Sequence, residues 1–60
     1  MTTWVQVHDG GWVTATPDYR EGYADGYDDA QHSYSYGLNA RTLEGRYGDG
    51  YDEGYHKGLV

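Results

Sequence analysis

The chain has no cysteine and no phenylalanine, one proline and one methionine. Without cysteine no disulfide can brace it and no thiol can serve as a nucleophile, a composition that fits a reducing cytosol. Large aliphatic side chains are scarce: Val5, Val7, Val13, Val60, Leu38, Leu43, Leu59 and Met1 complete the set. In 60 residues that leaves one domain with a small core. Such a core supplies about 3–5 kcal/mol by itself. No run approaches the roughly 20 apolar residues of a membrane span, and no apolar signal stretch follows Met1. Positive charge is short as well. Four Lys and Arg face ten Asp and Glu, for a formal charge of −6, which argues against direct contact with nucleic acid phosphates.

The abundant residues are ten Gly, eight Tyr and two Trp, and they repeat. YREGYADGYDDA (19–30) aligns with YGDGYDEGYHKG (47–58) at an offset of 28 residues. Three Tyr and two Gly coincide, acid matches acid at Glu21/Asp49 and Asp25/Glu53, and Ala30 meets Gly58. Within each copy the period is four. One row is Tyr19, Tyr23, Tyr27 and the other Tyr47, Tyr51, Tyr55; small-residue rows run beside them through Gly22 and Gly26, and through Gly50, Gly54 and Gly58. Residues four apart stack along one ridge of a helix, so two helices are expected. Each interior Gly costs about 0.8–1 kcal/mol relative to Ala. Packing that only Gly permits, the close approach of another backbone, has to offset this cost. The alternative of a disordered Gly/Tyr/Asp-rich tail is disfavoured by the regular spacing shared between copies. Helix signals agree: Thr16 as N-cap, Pro17 in the first turn with Asp18 and Glu21, and Thr42 as cap before Glu44.

Residues 2–16 alternate as a β-hairpin. A loop Asp9-Gly10-Gly11 is expected to set His8 opposite Trp12 and Val7 opposite Val13, with Val5, Val7, Val13 and Ala15 on one face and Trp4, Gln6, His8, Trp12, Thr14 and Thr16 on the other. Between the helices Gly37 and Asn39 suit left-handed conformations. The full expectation is a small α+β fold: hairpin 2–16, helix 17–33, turn 34–41 and helix 42–58. The two helices form an antiparallel hairpin whose Tyr rows interlock over Gly rows.

Chemistry finds little footing. Asp28/His32 and Asp52/His56 are spaced as ion pairs on one helical face, which accounts for them better than a metal site. The acidic runs lack the ligand spacing of a calcium loop. Ser33 and Ser35 are the only serines, no His forms a nucleophile–base pattern, and no phosphate-loop motif occurs. No enzyme, cofactor or metal is expected. Binding is. Tyr, Trp and acid together make a good protein-contact surface. The candidate contact residues are Asp18, Glu21, Asp25, Asp28, Asp29, Asp49, Asp52 and Glu53 as an acidic face, with Trp4, Trp12, Tyr34 and Tyr36 as aromatic contacts.

The tandem Gly-x-x-x units at Gly22-Gly26 and Gly50-Gly54-Gly58 resemble the deca-Gly-x-x-x repeat of small eukaryotic adaptor proteins that help deliver iron–sulphur clusters. Here there are far fewer units and no cysteines, and the resemblance implies close helix packing. The Gly-Tyr-x-x style of residues 19–58 on a tiny acidic chain resembles small accessory proteins of actinobacterial phages. That likeness implies a host-directed binding protein in the host cytosol, inhibiting or redirecting a host protein, with mimicry of nucleic acid toward a basic partner as its sharper form. Homodimerisation is expected, since pairing two such units builds a four-helix layer. A self-assembling structural or virion component is the alternative.

Overall fold

The computed structural model describes residues 3–8 and 10–59. Strands β1 (Trp4–Gln6) and β2 (Trp12–Thr14) precede helices α1 (Pro17–Gln31) and α2 (Gly45–Gly58). This is a small α+β fold in which an antiparallel two-stranded hairpin leads into two packed helices.

The hairpin register differs from the expected one. Trp4 pairs with Thr14, Val5 with Val13 and Gln6 with Trp12, and Val7 N–H donates to the Gly11 carbonyl at 2.9 Å. His8 therefore lies in the loop and does not face Trp12. The cause is Gly10, whose φ of +92° closes the turn with its N–H on the Val7 carbonyl, pulling the loop one residue earlier. Asp9 and the expected start at Thr2 lie outside the described residues. The register has moved by two, so the faces survive: Val5 and Val13 turn inward, Trp4 and Trp12 outward.

Thr16 caps α1, its hydroxyl accepting from Tyr19 N–H at 3.1 Å, with Pro17 in the first turn. The helix stops two residues before the expected 33. Ser33 adopts φ +61°, its N–H bonds the Ala30 carbonyl, and Tyr34 N–H reaches back to Asp29. This paired capping pattern usually falls to Gly. Gly37 is left-handed as expected (φ +87°), whereas Asn39 is not. Helix α2 starts at Gly45, three residues later than expected. Glu44 is its N-cap without a side-chain bond, and Thr42 instead accepts from Glu44 N–H. Gly45 at φ +66° makes the sharp entry, which leaves 42–44 outside the helix.

The helices run parallel, which corrects the expected antiparallel hairpin. Gly22 faces Tyr47 and Gly26 faces Tyr51; Gly50 faces Tyr19 and Gly54 faces Tyr23. Both numbers rise together along the pair, and at the far end Gln31 Nε2 donates to the Gly58 carbonyl at 2.7 Å. Adding 28 to one partner and subtracting 28 from the other turns each contact into its twin, so the repeat generates an internal pseudo-twofold axis along the helices. A β-carbon on any of these four glycines would stand 1.9–2.1 Å from the facing tyrosine carbonyl oxygen. The space is occupied by Cα–H groups aimed at those oxygens, weak bonds common where helices touch. Parallel pairing is what two copies of one unit require if each Gly is to meet the same Tyr of the other copy. The 13 residues of connector 32–44 can span far more than the ~21 Å length of α2.

The core is tyrosine. Tyr19 (4% exposed), Tyr47 (3%) and Tyr51 (0%) are buried beside Ala30, with Gly22, Gly26, Gly50, Gly54 and Gly58 between the helices. Tyr23 and Tyr55 are half-buried, whereas Tyr27, expected in the packing, is 42% exposed. Both Gly–Tyr faces are used within one chain, so the packing that motivated a homodimer is already satisfied. Among the described residues no helix is long and apolar enough to cross a membrane.

Candidate binding surfaces

A buried tyrosine needs a partner for its hydroxyl, and α2 meets this need with the connector. The Tyr47 hydroxyl donates to Asp25 at 2.5 Å and accepts from Arg41 N–H at 3.2 Å. One turn on, the Tyr51 hydroxyl donates to Asp29 and accepts from Gly37 N–H at 2.9 Å. The Tyr55 hydroxyl donates to the Tyr34 carbonyl at 2.6 Å. Asn39 donates twice more to Asp29. Burial, then the bond to Asp29, pushes the Tyr51 phenol up to about 12. The Tyr51 hydroxyl, followed by Asn39, holds the Asp29 carboxyl below the usual range although desolvation opposes this. Arg41 closes the row, its guanidinium 4.4 Å from the Tyr47 ring centroid and 2.8 Å from Glu21.

These bonds divide the expected acidic face. Asp29 and Glu53 are 1% and 3% exposed, so neither belongs to a partner surface. Asp25 serves Tyr47. Asp18 and Glu21 flank Arg41, Asp49 pairs with Arg46 at 2.7 Å, and Asp28 lies 3.5 Å from His32. Asp52 remains exposed, accepting from Tyr36 and lying 3.8 Å from His8 Nε2. The Asp52/His56 pair is replaced by a stack of His56 on the His8 ring at 4.2 Å. Among the described residues no group of three or more side chains could hold a metal ion.

The hairpin is fastened to α2 through His8. Its N–H donates to Glu53 Oε1 at 2.7 Å, and its Nδ1 lies 2.7 Å from the same oxygen. Glu53 Oε2 is buried with no hydrogen-bond partner among the described residues, 3.8 Å from Lys57 Nζ. Arg46 Nε also donates to the Thr14 hydroxyl at 2.8 Å. Sequence reasoning put His8 on the hairpin's outer face and missed this anchor. Its one available signal was that Glu53 replaces Asp25 in the repeat, a buried carboxylate in need of a donor.

Of the expected aromatic contacts, Tyr36 is partly committed: its ring meets Tyr51 and Tyr55 edge-on. Tyr34 stacks on His32. Trp4 and Trp12 stand apart at 59% and 60% exposure on one hairpin face. Beside Trp12 a cleft of about 200 Å³ between hairpin and α2 is lined by Val7, His8, Trp12, Val13 and the carboxylates Asp49 and Asp52. Comparison with known proteins finds no matching family model, curated protein or solved structure.

Proposed function

We propose that this chain is a small protein-binding module that grips a basic partner through the indole face of its hairpin. The observation that carries this is the placement of Trp4 and Trp12, both about three-fifths exposed on one strand face while tyrosine fills the core. Burying the open part of two such rings yields on the order of 5 kcal/mol at about 25 cal/mol per Å². That anchors an interface without completing it. Trp12 shares its cleft with Asp49 and Asp52. An aromatic face beside carboxylates suits a Lys or Arg side chain. A host-directed accessory role fits a module of this size and charge. Mimicry of nucleic acid is the less favoured form, because Asp29 and Glu53 are buried and Asp18, Glu21 and Asp49 are paired with arginines.

The test immobilises the full chain and the double variant Trp4→Ser/Trp12→Ser, after circular dichroism shows equal helix content. Protein captured by the first and lost by the second, with binding weakened by added salt, supports the reading. Equal capture by both overturns it. So does a light-scattering mass that rises with concentration in the original chain and not in the variant, which would assign the indoles to self-assembly.

A further inference from the structure

The pseudo-twofold axis relates two aromatic sockets, and the described residues fill one of them. On α2, Tyr51 and Tyr55 stack at 6.1 Å and 20°. The Tyr36 ring sits edge-on to both, at 5.4 Å and 5.2 Å, with its hydroxyl on Asp52 at 3.2 Å. Twenty-eight residues earlier, Tyr23 and Tyr27 stack in the same way at 6.4 Å and 14°. Where the counterpart of Tyr36 would lie there is an open groove of about 490 Å³, lined by Tyr23, Ala24, Tyr27, Asp28 and Gln31. The lower end of this side is already taken: Tyr19, twin of Tyr47, is 4% exposed, and His8 occupies Glu53, twin of Asp25. The groove is what the hairpin leaves uncovered.

We propose that this groove docks an aromatic side chain of another protein, carried on a Ser- and Gly-rich turn like the one that fills its twin. The filled socket shows the chemistry. The Tyr23 hydroxyl takes a backbone N–H as Tyr51 takes that of Gly37, and the Tyr27 hydroxyl reaches a carbonyl as Tyr55 reaches that of Tyr34. Ala24 stands where Asp52 holds the Tyr36 hydroxyl, so the incoming ring needs no hydroxyl of its own. Lys57 stands where Asp29 binds Asn39, three residues after Tyr36. That ammonium already lies 3.8 Å from the buried Glu53 carboxylate, and Asp28 lines the groove, so an acidic residue is disfavoured at that position of the incoming turn. The proposal rests on the internal symmetry and stands apart from the indole face.

The test titrates isotope-labelled full chain with a synthetic peptide of residues 33–40, read by amide chemical shifts. Saturable shifts at Tyr23, Ala24 and Tyr27 are expected. Affinity should fall about tenfold or more with Tyr36→Ser in the peptide, or with Ala24→Arg at the exposed floor of the groove. A 33–40 peptide carrying Asn39→Asp should bind several-fold more weakly than the unmodified form. Absence of shifts at these residues up to millimolar peptide overturns the proposal, as do shifts unchanged by both Tyr36→Ser and Ala24→Arg. Shifts confined to Tyr51 and Tyr55 would show the peptide displacing the connector, and also overturn it. Shifts that follow protein concentration without peptide would assign the groove to a second copy and overturn the proposal.

Discussion

On one side of the helix pair, Tyr47, Tyr51 and Tyr55 hold the backbone of residues 34–41 through three hydroxyls, one per helical turn. On the other, Tyr19 is buried while Tyr23 is half-buried and Tyr27 is exposed, although the helices approach each other identically at both. The repeat dictates the interhelical contact and nothing more. What covers each tyrosine row is decided outside the repeat, by a connector on one side and a hairpin on the other. The acids show the same division. Asp25 and Asp29 receive tyrosine hydroxyls, whereas their twins are Glu53, held by His8, and Lys57. Burial of a polar ring therefore follows the supply of hydrogen-bond partners more than the helical pattern.

The largest effect comes from breaking what the two sides share. Gly26→Ala and Gly50→Ala would each place a β-carbon about 2 Å from a facing carbonyl oxygen, at Tyr51 and Tyr19 respectively. The gain of about 1 kcal/mol in helix propensity is overwhelmed, and loss of a cooperative thermal transition is expected for both. Ala24→Gly, exposed on α1, should cost only about 1 kcal/mol. If Gly26→Ala stabilised the chain, the parallel contact would be wrong.

Alkali should sharpen the contrast next. The phenols of Tyr19, Tyr23, Tyr36, Tyr47 and Tyr51 are all raised, first by burial, with Tyr51 at about 12. A raised folded value means the unfolded chain ionises first. The stabilising contribution is complete below about pH 10 and is lost as pH climbs toward 12. Unfolding followed by circular dichroism should coincide with the appearance of phenolate absorbance in that window. A smooth titration without loss of helix would contradict it. Asp29 runs the other way. Its lowered value stabilises the chain above about pH 4, and that contribution is lost as acid carries it through the folded value.

The smallest effect separates the two sides directly. Tyr51→Phe removes a buried hydroxyl that serves both Asp29 and Gly37, and about 2–3 kcal/mol of stability should go with it in denaturant melts. Its twin, Tyr23→Phe, should stay within about 0.5 kcal/mol of the original chain. Equal losses would mean that the two sockets are equally occupied in solution.

Much of this fold was legible because period and capping are local. The offset of 28, the four-residue rows, Thr16 with Pro17, and the inward and outward faces of the hairpin all follow from side-chain spacing. Helix direction does not. A Gly-x-x-x row is the same ridge read either way, and only the length of the connector, together with the match of each Gly to one Tyr of the other copy, distinguishes parallel from antiparallel. The burial of two acidic candidates, Asp29 and Glu53, was hidden for a related reason. Asp29 and Asp28 are adjacent in sequence, yet the first meets Tyr51 and Asn39 while the second faces water, and both partners are distant in the chain. The indoles were legible because no helical row could absorb them.

Parallel helices also constrain how the chain can find its fold. The close Gly–Tyr approaches join residues 25 to 31 positions apart, so the pair cannot zip outward from a tight turn as a helical hairpin does. Relative to a four-residue turn, nearly three doublings of loop length cost about 1.7 kcal/mol before the first contact forms. Helix α2, with glycine at 45, 48, 50, 54 and 58, is too weak to wait preformed. Connector and second helix are therefore expected to gain structure together, and the hydrogen-bonded amides of α2 should exchange with solvent only at the rate of global unfolding.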